Sequence, residues 1–107
     1  MAFGVSRREL EEWKRDVAAG RIAFLTHFWT DARFPGVTSV TKVGCADVER
    51  LERWALSHGL SPRYIHRRDR YPHYDIFGER QADILRKEGQ LAQLNKFVLG
   101  RSPRARP

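Results

Sequence analysis

Hydrophobic positions along the chain follow two different periods in turn. Between Ser6 and Gly20, the apolar residues Leu10, Trp13 and Val17 recur at helical spacing. Ser6 followed by Glu9 has the form of a capping box, in which each side chain satisfies the other residue's backbone amide. The pattern predicts a first helix over Arg7 to Ala19, stopped by a left-handed glycine at Gly20. From Arg21 to Trp29 (RIAFLTHFW) aromatic and branched residues dominate. Alternation sends Ile22, Phe24, Thr26 and Phe28 to one face and Ala23, Leu25, His27 and Trp29 to the other, as in a strand buried on both sides.

Phe34-Pro35-Gly36 then reads as a turn, and Val37 to Val43 (VTSVTKV) as a second strand. Asp47 is placed to cap a second helix whose stripe is Val48, Leu51, Trp54 and Ala55 and whose stop is Gly59. Beyond Pro62 a short strand is expected over Arg63 to His66, followed by a polar basic loop from Arg67 to Tyr71, since Pro72 biases Tyr71 away from helix. His73-Tyr74-Asp75 leads into a third helix, about Phe77 to Glu88, closed by Gly89. Leu91, Leu94, Phe97 and Val98 fit a helix or a strand equally, and Arg101 to Pro107 (RSPRARP) is expected to be a disordered basic tail. The order predicts an α/β (α+β) fold, a small mixed sheet of about three strands with three helices packed on it, forming a single domain over residues 1–100.

Composition narrows the function. The 107 residues are 41% hydrophobic, enough for one modest core. No apolar run reaches the roughly 18 to 20 residues of a membrane helix, and Met1 to Ser6 lacks the form of a signal peptide, so a cytoplasmic protein without a membrane partner is expected. The lone Cys45 can form no internal disulfide and no thiolate zinc site, and reads as a small buried residue. The formal net charge is +7, and sixteen of the twenty basic residues are arginine. A planar guanidinium grips phosphate with two bonds and stacks on bases, which makes nucleic acid the expected partner, with an acidic protein as the alternative.

The segment Tyr64 to Asp75 (YIHRRDRYPHYD) interleaves arginine with aromatics. Arg33, Arg63, Arg67, Arg68, Arg70 and Arg80 are candidates to neutralise phosphates, while Tyr64, His66, His73 and Tyr74 offer stacking faces or hydrogen bonds. A second reading takes His73 as a general acid or base, with Asp75 orienting it or holding a divalent metal together with His66, and with His27 as a further candidate ligand. An ordinary structural account of the same residues has Asp75 capping the third helix, His73 hydrogen-bonded to it, His27 satisfied in the core and His58 capping the second helix. No established metal-site spacing, nucleophile elbow or glycine-rich phosphate loop is present, so no cofactor is assigned.

Several segments carry a family resemblance: Phe24-Leu25-Thr26-His27-Phe28-Trp29, Thr41-Lys42-Val43-Gly44-Cys45-Ala46-Asp47, Leu60 just after a glycine stop, and Pro72-His73-Tyr74-Asp75 before a helix containing Arg80. Through them Met1 to Gln90 resembles the YneQ-type small bacterial proteins and, more distantly, a group of phage and bacterial proteins of unknown function that lack the N-terminal helix. The resemblance implies a shared domain and a shared His-Tyr-Asp segment, and no particular reaction. The expectation is therefore a nucleic-acid-binding accessory protein, for DNA or RNA. The rivals are a nuclease or phosphoryl-transfer enzyme built on His73 and Asp75, and a protein-interaction module.

Overall fold

The computed structural model describes residues 4–96; the expected tail over residues 101–107, and Phe97 and Val98 of the segment before it, lie outside the described residues. The elements run α1 (Arg7–Ala18), β1 (Ala23–Phe28), β2 (Ser39–Gly44), α2 (Val48–Ser57), a single 3₁₀ turn (Pro62–Tyr64), β3 (His73–Ile76) and α3 (Gly78–Lys87). Residues 91–96 are helical. The fold is thus α+β, with three strands and three main helices, and the sheet, of order β1-β2-β3, is antiparallel throughout.

Both predicted caps form. The Ser6 hydroxyl accepts from the Glu9 amide at 3.0 Å while the Glu9 carboxylate accepts from the Ser6 amide at 3.3 Å. Asp47 accepts from the Arg50 amide at 3.1 Å and starts α2.

The register places Lys42 opposite Asp75 and Gly44 opposite His73. Strand alternation then assigns Ala23, Leu25, His27, Lys42, Gly44, His73 and Asp75 to one face, and Phe24, Thr26, Thr41, Val43, Tyr74 and Ile76 to the other. α1 covers the first face with Trp13 and Val17, which pack on Ala23 and Leu25. α2 and α3 cover the second, where Leu51, Trp54, Ala55 and Ile84 meet Val43, Cys45, Tyr74 and Ile76. Cys45 is fully buried in that core, and burial raises its thiol pKa, so it acts as a small apolar side chain.

Gly44 sets how closely α1 approaches the sheet. A Cβ there would stand 2.6 Å from Trp13 Cζ2 and 2.7 Å from Val17 Cγ2. On the opposite face the Thr26 and Thr41 hydroxyls meet at 2.6 Å, and Gln81 of α3 donates to Thr41 at 2.9 Å, so a buried polar chain ties α3 to the sheet.

The expected strand over Arg63 to His66 is corrected to a 3₁₀ turn at Pro62–Tyr64, after which only His66 pairs, in an isolated bridge with His73. Pro62 presets a helical φ at the first position of the turn, and the Ser61 hydroxyl accepts from the Arg63 amide at 3.4 Å, so the local chain closes on itself before it can extend. Residues 91–96, left between helix and strand by their periodicity, are helical. No helix among the described residues is long and apolar enough to cross a membrane.

Candidate functional site

β3 is an edge strand, and a cleft of about 610 Å³ runs along its outer side. The Cys45 amide donates to the Pro72 carbonyl at 3.0 Å, so Pro72 and, by alternation, Tyr74 and Ile76 turn their backbone groups toward β2. Those of His73 and Asp75 turn outward. His73 uses its carbonyl to accept the His66 amide at 2.8 Å. Past that bond the chain curls away into the 3₁₀ turn, and the edge at Asp75 opens onto the cleft.

Leu60, Ile65, Ile76 and Phe77 form apolar walls, and Arg63, Tyr64, His66, Tyr74, Asp75 and Arg80 supply the polar lining. Six of the eleven residues singled out by sequence therefore converge. Tyr64 is 62% exposed and carries the Arg63 guanidinium over its ring at 5.4 Å. Tyr74 is buried, which raises the pKa of its phenol, while the nearby Arg80 guanidinium and a hydrogen bond with the Ser61 backbone act the other way. Arg67 and Arg68 extend the basic surface around Ile65 and His66, although Arg67 is already held by Glu52 at 2.6 Å and by the Pro62 carbonyl at 3.1 Å. Among the described residues no carboxylate lies within ion-pair distance of Arg63, Arg68 or Arg80.

The remaining candidates lie apart from the cleft. Arg33 forms a fork with Asp31, at 3.0 and 2.6 Å, and this pairing holds the Asp31 carboxyl at about 2. Arg70 stacks over Tyr71, whose ring packs against Trp13 of α1. His73 is only 5% exposed, its ring edge against Trp13 at 6.5 Å. It does not line the cleft, so of the two imidazoles His66 is the one a ligand there would meet.

His66, His73 and Asp75 nevertheless form one cluster. His66 Nε2 lies 3.2 Å from Asp75 Oδ2, His73 Nε2 lies 3.7 Å from Asp75 Oδ1, and the two imidazoles stack at 4.7 Å and 20°. Asp75 does not cap α3, whose first turn begins at Phe77 without a side-chain cap. His27 stays outside this cluster: it is buried, its Nδ1 bonds the Phe28 carbonyl at 3.1 Å, and burial lowers its pKa. His58 ends α2, and its Nε2 meets Glu88 Oε2 at 2.7 Å; that oxygen also accepts from Trp54 Nε1 at 3.1 Å.

Sequence reasoning missed the apolar walls and Lys42. Leu60 and Ile65 flank the Ser61-Pro62 turn signal, which could have placed them together, whereas Lys42 comes to stand opposite Asp75 only through strand register.

No family model and no solved structure matches the chain. The chain is 48% identical over 99 residues to Uncharacterized protein YneQ of Bacillus subtilis (strain 168), a match covering 92% of this chain and 100% of that protein. At that identity and coverage, the chain belongs to the YneQ family of small bacterial proteins.

Proposed function

We propose that the protein binds single-stranded nucleic acid in the cytoplasm through the cleft beside β3. The observation that carries this reading is the grouping of Arg63 and Arg80, neither within ion-pair distance of a carboxylate among the described residues, with the exposed ring of Tyr64 around an apolar-walled cleft of about 610 Å³. Unstacked bases offer π faces to a tyrosine, and guanidinium groups beside it take the phosphates, a combination that suits a strand whose bases are free rather than paired in a duplex. In this reading the phosphate backbone runs along the rim formed by Arg63 and Arg80, with a base turned toward the apolar walls. Arg68 extends the rim toward the Arg67 side.

The test is fluorescence anisotropy with a labelled twelve-nucleotide oligo-dT and its oligo-U counterpart, over 50 to 200 mM salt. Affinity should fall steeply with salt as counterions are released. Tyr64→Ala should weaken binding by about 1–3 kcal/mol, with Tyr64→Phe retaining most of it, and Arg63→Ala with Arg80→Ala should flatten the salt dependence. Binding that ignores salt, or that survives the loss of both arginines, would overturn the reading.

A further inference from the structure

The geometry points to a divalent transition-metal site formed by His66, His73 and Asp75, an inference independent of the nucleic-acid reading. The argument starts from hydrogen-bond accounting at His73. Its Nδ1 lies 2.9 Å from the Tyr71 carbonyl oxygen, which can only accept, so Nδ1 carries the proton. In the neutral ring Nε2 is then a bare lone pair. It faces Asp75 Oδ1 at 3.7 Å, too far for a hydrogen bond.

That oxygen is itself unanswered. Among the described residues, Asp75 Oδ1 is the buried side-chain oxygen or nitrogen atom without a hydrogen-bond partner. Lys42, opposite Asp75 in the register, does not supply one. An unprotonated Nε2 and a carboxylate oxygen without a hydrogen-bond partner therefore stand 3.7 Å apart, an arrangement that costs free energy unless a proton or a metal cation sits between them.

The third donor is at hand. His66 Nε2 lies 3.2 Å from the other Asp75 oxygen, and one ligand atom from each of the three residues falls within 4.8 Å of the others. An ion bonded at roughly 2.0–2.1 Å to each donor needs separations near 3.3 Å in tetrahedral geometry. The His73 Nε2–Asp75 Oδ1 separation of 3.7 Å lies a few tenths of an ångström above that value, and His66 Nε2 stands 3.2 Å from the other carboxylate oxygen, Oδ2. His66 is exposed, so its ring can turn out of the stack with His73 and bring the third donor into line.

The Tyr71 carbonyl already occupies the outer position that a metal-bound imidazole requires, fixing both ring orientation and tautomer. Two imidazole nitrogens and one carboxylate select a zinc- or cobalt-class ion over magnesium or calcium, which prefer all-oxygen sites. Because His66 and Asp75 also line the cleft, a fourth coordination position opens toward it.

The test uses the full chain, stripped with chelator and exchanged into phosphate-free buffer. Zn²⁺ is titrated by calorimetry and Co²⁺ by its visible absorption bands. One ion per chain should bind, and Asp75→Asn and His66→Ala should each weaken binding by more than the roughly tenfold that loss of an outer-shell partner alone costs. His66 is on the surface, and circular dichroism melts without metal establish that both variants fold. Absence of stoichiometric binding to the unmodified chain, or binding that survives either substitution in a folded variant, would overturn the site. Oligonucleotide affinity measured without metal leaves this outcome separate from that of the cleft.

Discussion

Gln93 and Thr26 are 67 residues apart in sequence, yet the Gln93 carboxamide oxygen accepts the Thr26 backbone amide at 2.7 Å. Lys96 adds the other half, donating from Nζ to the Thr26 carbonyl at 2.6 Å while pairing with Glu9 of α1. Thr26 is 1% exposed, and its backbone groups point away from β2, so two side chains from residues 91–96 supply the hydrogen bonds that another strand would have made. Gln93→Ala is therefore expected to destabilise the protein by about 1–3 kcal/mol, the cost of a buried amide left unsatisfied. Gln93→Glu, which keeps an acceptor, should retain most of the stability. Urea unfolding of the two variants checks this, and equal losses would show that the bond is not the cause.

Gly44→Ala is expected to cost about 1–3 kcal/mol by overpacking. The added methyl would meet the buried Trp13 ring and Val17, and neither can swing aside as a flexible surface side chain would. A lowered thermal midpoint, accompanied by a changed Trp13 environment in near-ultraviolet circular dichroism, is the expected readout. An unchanged midpoint would mean that α1 rides over the sheet more loosely than these distances imply.

His27 gives the fold a dependence on pH with a definite sign. Burial, the largest influence, holds its folded-state pKa below the ordinary 6.5; Lys42 and Lys96 push the same way, against the Phe28 carbonyl and Asp75. Above 6.5 the ring is neutral in both states and its contribution is complete. As pH falls below 6.5 the unfolded chain takes up a proton first, so stability declines until the folded-state value is passed. His27→Gln should flatten the urea midpoint between pH 7.5 and 5 relative to the unmodified chain. Parallel curves would remove His27 as the source.

Much of the fold was legible because its signals are local. The Ser6–Glu9 box, the Asp47 cap and the stripes of Trp13 and Val17 or Leu51 and Trp54 depend on residues three or four apart, and they mark α1 and α2 to within a residue or two. The expected strand over Arg63 to His66 gives way to the 3₁₀ turn because Pro62 and the Ser61 hydroxyl close the chain locally, while Tyr64 and Ile65 carry side chains that also suit a strand. Residues 91–96 stayed ambiguous for a different reason: their polar partners, Thr26 and Glu9, lie far away in sequence. At the candidate site, the segment Tyr64 to Asp75 stands out in the sequence by its interleaved arginine and aromatic residues, and the cleft gathers Tyr64, His66, Tyr74 and Asp75 from it. The recess of His73 behind the sheet edge and the placement of Lys42 across from Asp75 follow from strand pairing, which periodicity does not encode.

The two margins of the sheet are guarded by different means. β1 is sealed by side-chain surrogates at Thr26, whereas β3 turns the backbone groups of Asp75 outward, without a partner among the described residues, beside Arg63, Arg80 and a carboxylate. A second copy trying to extend the sheet at β3 would have to strip water from those ions and bring like charges together, while one approaching β1 would find no vacant donor or acceptor at Thr26. The sheet can thus keep one margin open without templating the stacked ribbons by which bare edges seed fibrils.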